Sequence, residues 1–171
     1  MTVKLAKPEN LERIYEIWRD CKNPALPYDV SELEFFGGRL AKNDPNFPFW
    51  ICEIEEQIVG WACLSQMRTN PAVWETMAEL SFYVSRDCFG QGIGGRMVKL
   101  AVDFATSESS IEWVHAWVST KNEPSIRAIK RVGGINQATL DPVNRKPTRD
   151  TIVLYSIPVT GLSGISNPVE E

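Results

Sequence analysis

The chain has 171 residues, with 18 Lys or Arg against 22 Asp or Glu for a formal charge of -4, 43% hydrophobic residues, and 11 Gly and 11 Pro. That length and balance fit one ordinary globular domain and exclude the disordered, collagen-like and coiled-coil classes. Slight acidity without a Lys/Arg cluster gives no electrostatic footprint for nucleic acid, and the apolar stretch Val59–Leu64 falls far short of the roughly 18 residues of a membrane span.

In chain order, Met1 to Leu5 moves straight into a strand-like run with no leader pattern, so a cytoplasmic protein is expected. Val3 to Ala6 reads as a short strand. Leu11, Ile14, Tyr15 and Trp18 recur at helical spacing and predict an amphipathic helix ending before the Pro24–Pro27 region. Ser31 with Glu34 has the capping-box form, and Leu33, Phe36 and Leu40 give a second helix its stripe, which Gly37 and Gly38 weaken. Phe49–Ile54 and Ile58–Gln66, separated by Glu55, Glu56 and Gln57, predict an antiparallel hairpin. A third strand, Met77–Val84, alternates Ala78, Leu80, Phe82 and Val84 against Met77, Glu79, Ser81 and Tyr83.

From Gly92 the period lengthens to that of a helix, carried by Ile93, Met97, Leu100, Ala101, Phe104 and Ala105. Trp113–Val118 returns to strand, Glu123–Val132 is a short helix behind Asn122 that stops at Gly133-Gly134, and Thr151–Ile157 is a last strand. The expected order is βααβββαβα, then strands. Residues 1–160 are expected to form one domain and Gly161 to Glu171 a mobile tail. Cys21, Cys52, Cys63 and Cys88 contain no C-x-x-C pair and His115 is the single histidine, so neither a metal site nor a disulfide framework is expected. His115 shares a strand face with Trp113 and Trp117 and reads as a packing residue rather than a base.

The run Phe89-Gly90-Gln91-Gly92-Ile93-Gly94-Gly95-Arg96 stands where a strand gives way to a helix. Peptide nitrogens there lack intrahelical acceptors, and glycine brings no Cβ, so a phosphate or pyrophosphate is the natural ligand. Gly90, Gly92 and Gly95 also satisfy the G-x-G-x-x-G of a dinucleotide-binding Rossmann unit. That fingerprint opens the first βαβ unit and is followed about 20 residues later by an acid. This turn lies behind an antiparallel meander, and Trp113–Val118 ends without one. A tight turn serving only close packing is the third reading.

That turn, behind Glu79-Leu80-Ser81-Phe82-Tyr83-Val84 and ahead of Asn122-Glu123-Pro124-Ser125-Ile126, resembles the GNAT superfamily of acetyl-CoA-dependent N-acetyltransferases. Asp44-Pro45-Asn46-Phe47-Pro48, Ile58 to Ser65 and Glu79-x-Ser81-x-Tyr83-Val84 look like its phosphinothricin/methionine-sulfoximine branch, and the resemblance runs from about Val3 to Ile157. It implies an α/β fold: a mixed, mostly antiparallel sheet splayed between two middle strands and flanked by helices. It also implies acetyl-CoA as cosubstrate, its pyrophosphate on the amides of Gln91, Gly92, Gly94 and Gly95 within the turn Phe89 to Gly95, Ile93 included, and its arm along Tyr83 and Val84. Phe89 departs from the Arg or Gln common at that position.

By the same resemblance Glu79 is the base that takes the ammonium proton of a small-molecule amine attacking directly in a ternary complex, although a solvent-facing strand glutamate fits the alternation equally. An unpaired strand amide near Tyr83 or Val84 would receive the oxyanion. The family's tyrosine acid falls on Ile129, with Tyr83 and Tyr155 as substitutes only if the fold brings them close. Asn122 matches a cofactor-arm asparagine and equally an N-cap; Ser125 and Arg127 either face the cofactor or lie in a solvated first turn. Arg68 matches an arginine near an amino-acid carboxylate and equally reads as a surface arginine, Trp74 is expected at the acceptor pocket, and Trp50 and Trp61 read as packing. The basic residues frequent in the branch are replaced by Asn70 and Glu75, which argues against phosphinothricin itself. The resemblance leaves a homodimer open. A GNAT-fold acyl-CoA sensor without turnover is the competing reading.

Overall fold

A computed structural model of the protein describes residues 1–22, 30–67, 75–141 and 150–159. Strands β1 (Thr2–Leu5), β2 (Phe49–Ile54), β3 (Gln57–Gln66), β4 (Met77–Val84), β5 (Trp113–Ser119), β6 (Ile135–Leu140) and β7 (Ile152–Pro158) accompany helices α1 (Leu11–Lys22), α2 (Val30–Lys42), α3 (Ile93–Glu108) and α4 (Glu123–Arg131). The strands form one sheet in the order β1-β2-β3-β4-β5-β7-β6. Every neighbouring pair is antiparallel except β4 and β5, which run parallel. The expected tail, Arg68, Trp74, Asn70 and the Pro24–Pro27 region lie outside the described residues.

Alternation along β4 sorts the molecule into two cores. Ala78 and Leu80 join Val114, Ala116, Met97, Ala101 and Ile129 beneath α3 and α4. Ile14, Tyr15, Ile17, Phe36 and Leu40 pack with Phe49, Ile51 and Trp61 beneath α1 and α2, where Tyr83 joins them. Trp50 belongs to the first core, edge-on to Phe104 at 5.4 Å. Trp61 belongs to the second, its indole N–H donating to Ile14 O at 3.0 Å. Gly37 survives inside α2 because α1 presses against it: a Cβ there would stand 3.3 Å from Leu11 Cδ2.

Several local readings shift. The β2–β3 turn is two residues, Glu55 (φ 49°) and Glu56 (φ 64°), both left-handed as a type I′ hairpin requires, and Gln57 pairs with Ile54 as strand. Helix α2 begins at Val30, so Ser31 lies in its first turn rather than capping it. The sequence reading assigns nothing to Ile135–Leu140, which is β6. Its residues are nearly all exposed and its pairing with β7 shifts between Asn136 and Ala138, so an edge strand of this kind carries no burial period.

At the junction of β4 with β5 the sheet opens. Only Met77↔Trp113, Ala78↔Val114 and Glu79↔His115 are paired, after which the strands part. Leu80–Val84 stays on β3, and Ala116–Ser119 stays on β7. Among the described residues, no helix is long and apolar enough to cross a membrane.

Candidate active site

The peptide groups of β4 alternate as its side chains do. Met77 O accepts from Met67 N, and Ser85 N donates to Val59 O, so the odd-numbered peptide groups turn toward β3. A Cβ on Gly60 of β3 would stand 3.0 Å from Tyr83 O, in keeping with that direction. The peptide edges of Phe82 and Val84 therefore face the gap opened by β5. Tyr83 contributes a side chain to the opposite face rather than a free amide. Cys21 at the end of α1 donates its thiol to Val84 O at 3.2 Å, and burial pushes that thiol's pKa up.

Beyond β4 the chain makes a short 3-10 turn, Arg86–Cys88, and enters the glycine run. Gly90 (φ 79°) and Gly92 (φ 77°) are left-handed, and Gly92 caps α3. Among the described residues, and apart from each glycine's own chain neighbours and helix backbone, no atom lies within 4 Å of where a Cβ would stand on Gly90, Gly92 or Gly95, so the turn offers open space over its peptide nitrogens. The first amide of α3 to reach a carbonyl is that of Arg96, 3.2 Å from Gly92 O, leaving those of Ile93, Gly94 and Gly95 directed outward at the helix's positive end. Ile93 is 2% exposed, its side chain anchored in the core, so only its backbone can meet a ligand. Phe89 is exposed and Gln91 likewise. A dense anion with several acceptor oxygens fits this cradle.

Across the gap, Asn122 caps α4: its Oδ1 accepts from Ser125 N at 3.3 Å. The cap reading is the one the geometry displays, and the carboxamide nitrogen stays outside that bond. Arg127 is tied to Glu123 at 3.1 Å. Ile129 is fully buried.

The other face of β4 borders a cavity of about 650 Å³ between α1, α2, β3 and β4. Glu79, Ser81 and Tyr83 line its β4 wall, Trp61, Cys63 and Ser65 its β3 wall, and Trp18 and Phe36 its helical roof. Glu32, Glu34, Asp44 and Glu79 supply carboxylates there, Arg39 and Lys42 the cations. Glu79 is half-buried. Burial pushes its carboxyl above the ordinary carboxylate range and the Arg39 guanidinium pulls the other way. Arg39 is fixed by bonds to Ser65 Oγ and Leu64 O and by the Phe49 ring 5.9 Å away. Sequence reading misses it, because an arginine in the last turn of a helix looks like a solvated cation complementing the dipole.

Tyr83 is pushed up to about 12, chiefly by burial. It is thus a far weaker acid than a free thiol near 8.5, and proton transfer from it to a thiolate runs uphill. Tyr155 lies in the α3/α4 core on the opposite face of the sheet from Tyr83, so the two do not converge. Glu79 and Tyr83 do share one cavity wall with the parted strand edge behind it. Arg68 and Trp74 fall outside the described residues.

Comparison with known proteins agrees with this geometry. A family model described as the Acetyltransferase (GNAT) family matches residues 11–134. The Bacillus subtilis (strain 168) protein named "Putative phosphinothricin acetyltransferase YwnH" is 25% identical over 143 residues, covering 78% of this chain and 83% of its own. A phosphinothricin acetyltransferase from Sinorhizobium meliloti, solved with AcCoA, superposes with TM-score 0.78 at 21% identity over 92% of this chain and 87% of its own. A ribosomal-protein-alanine N-acetyltransferase from Brucella melitensis gives TM-score 0.79 at 23% identity over 92% and 99% of the two chains. Similarity at that identity establishes a shared fold.

Proposed function

Because the chain belongs to the GNAT family of acetyltransferases, we propose that it transfers an acetyl group from acetyl-CoA to the primary amine of a small molecule, by direct attack within a ternary complex. The solved relative with AcCoA supports the choice of cosubstrate. So does the fit of this chain: left-handed glycines, open space where side chains would stand, and outward peptide nitrogens at the start of α3 suit a diphosphate. When bound, acetyl-CoA supplies an acetyl group activated as a thioester.

The amides of Gln91, Gly92, Gly94 and Gly95 hold the diphosphate, with those of Gly90 and Ile93 beside them. The edge of β4 at Phe82 and Val84 holds the extended arm as a further strand would, and Asn122 and Ser125 close the far side. Glu79 receives the proton of the acceptor's ammonium group, directly or through water. An amine with a reference pKa near 7.7 or above is mostly protonated at neutral pH, and a carboxylate whose pKa burial has raised is a better-matched base than an exposed one. A β4 peptide N–H at the gap, that of Val84 or Phe82, receives the developing oxyanion. The second proton, shed by the nitrogen once it has bonded to the acetyl carbon, ends on the departing sulfur to give the CoA thiol; with a thiol pKa near 8.5 that thiolate needs little assistance in leaving, so Ile129 in place of a tyrosine does not forbid turnover.

The acceptor class follows from the cavity. Its size lies within the usual range of about 300–1,000 Å³ for small-ligand sites. A lining that carries both cations, Arg39 and Lys42, and carboxylates suits a molecule with both an ammonium and an anionic group, such as an amino acid or analogue.

One observation carries the proposal: a single strand presents a half-buried carboxylate to the cavity while its peptide edge faces the gap. The test is thiol release from acetyl-CoA across amino acids, sulfoximines, polyamines and peptides, with Glu79→Gln alongside. Release with a small amine, lost in the variant, is the expected result. Acetyl-CoA binding with no release for any amine would instead select the sensor reading that the buried Ile129 motivates.

A further inference from the structure

The cavity that holds Glu79 is graded along its length. Three register pairs of β3 and β4 wall it, Ser65↔Glu79, Cys63↔Ser81 and Trp61↔Tyr83, and partners in register direct their side chains to one face. At a strand's rise of about 3.3 Å per residue the outer pairs stand about 13 Å apart. Helix α2 follows the same grading: Phe36 meets Trp61 with ring centroids 5.5 Å apart, and Arg39, three residues on, bonds Ser65 Oγ and Leu64 O. One end therefore holds the Glu79 carboxylate near a fixed guanidinium. The other end is aromatic. Trp61 lies 4.7 Å from Tyr83, Trp18 of α1 lies 5.8 Å from Phe36, and Phe35, 57% exposed, adds a ring to the same lining. Between the ends the strand pair offers only the small side chains of Cys63 and Ser81.

An α-amino acid carries its ammonium and carboxylate on one carbon, and the Glu79 end offers a partner to each, with Arg39 taking the carboxylate. The side chain then crosses the Cys63/Ser81 step toward the rings. Of the span of about 13 Å, a hydrogen bond of about 3 Å at one end and a ring contact of about 5 Å at the other leave about 5 Å. An aryl group close to the α-carbon fills that remainder; a methyl group leaves the rings against water. A second ammonium group, as in a polyamine, would share the lining with the cations Arg39 and Lys42. We propose that the acceptor is an α-amino acid with an aryl side chain, its ring resting against Trp18, Phe36, Trp61 and Tyr83. The inference rests on the acetyl-transfer reading and names the substrate class of that same site.

Calorimetry of candidate acceptors on the CoA-loaded protein tests this without turnover. L-Phenylalanine should bind about 30-fold more tightly than L-alanine, as burial of an aryl side chain predicts, and more tightly than spermidine. Trp18→Ala should cut that preference about fivefold, the effect of one aromatic contact, and Ser81→Leu, which blocks the step between the two ends, should erase it. Phenethylamine keeps the ring and the ammonium but lacks the carboxylate, so it should bind more weakly than phenylalanine and be indifferent to Arg39→Met. Each preference is a ratio of affinities from one preparation, so a variant that folds poorly still reports it. Alanine, spermidine or phenethylamine binding the wild type as tightly as phenylalanine overturns the proposal, as does a preference that either cavity variant leaves untouched. Thiol release separates this inference from the reading beneath it. Release with alanine as efficient as with phenylalanine removes the aryl subsite and leaves acetyl transfer standing, whereas ring-dependent binding with no release from any amine removes transfer and leaves the subsite.

Discussion

The two sides of β4 are built from different material. At the start of α3 the atoms that would meet a ligand are peptide nitrogens on consecutive residues, and the sequence contributes mainly by withholding side chains. In the cavity beneath α1 and α2 the reactive atoms are side-chain tips gathered from α1, α2, β3 and β4. A backbone cradle is all-or-none, since one Cβ with a charge fills it. A side-chain wall loses its parts one at a time. Substitutions on the first side should therefore abolish binding, and those on the second should grade the chemistry while leaving cosubstrate affinity alone.

The largest expected effect is at Gly92. A glutamate there must adopt the left-handed backbone, costing about 1–2 kcal/mol, and brings a negative charge to an anion site. Acetyl-CoA affinity by calorimetry should fall by about 10²-fold or more. Full affinity would detach the turn from the diphosphate. Next comes Glu79→Gln, which should cost about 10²-fold in kcat/KM, the usual range for an acid–base group. Its acetyl-CoA affinity should hold, and a matching loss of affinity would erase the contrast between the two sides.

The pH profile sharpens the same comparison. Since burial raises the Glu79 pKa, the base ionises at a higher pH than it would if exposed, and kcat/KM should climb with pH along a limb that Glu79→Gln lacks. Arg39 opposes the shift, so Arg39→Met should move the limb to still higher pH and raise the acceptor's KM; a limb that stays put removes Arg39 from the electrostatics. Stability carries the opposite sign from activity. A carboxyl whose folded pKa is raised favours folding in its protonated form below its unfolded pKa, and that contribution is lost as pH rises through the folded pKa. Glu79→Gln should therefore melt no lower than wild type at neutral pH, as calorimetric scans would show. The smallest effect is at Phe89, exposed beside the cradle. Phe89→Arg adds a cation near the diphosphate and should tighten acetyl-CoA by only about two- to fivefold, a surface-charge effect.

The contrast also explains how much of the molecule is legible in the chain alone. The glycine turn, β4 and α3 are contiguous stretches with strong periods or punctuation, so the strand–turn–helix is visible in order along the sequence. The placing of Glu79 on a face is visible too, because alternation on one strand needs no partner. Arg39 is not, since its meaning depends on Ser65 and Leu64 lying beside it, some 25 residues away in sequence. The exposed β6 carries no hydrophobic period to find. His115 looks like packing because its neighbours on the strand are tryptophans, and its bond to Ser156 Oγ appears only once the sheet sets β7 beside β5.

The seam between β4 and β5 is three residue pairs long, and it is where the sheet's two leaves, β1–β4 and β5–β7, are stitched together. The peptide edge of Phe82 and the N–H of Val84, whose carbonyl already takes the Cys21 thiol, are thereby left for something other than this chain to satisfy. A molecule lodged there acts as mortar as well as reagent, so loading should slow amide exchange along Ala116 to Val118 as well as along β4, and release should let the leaves breathe again.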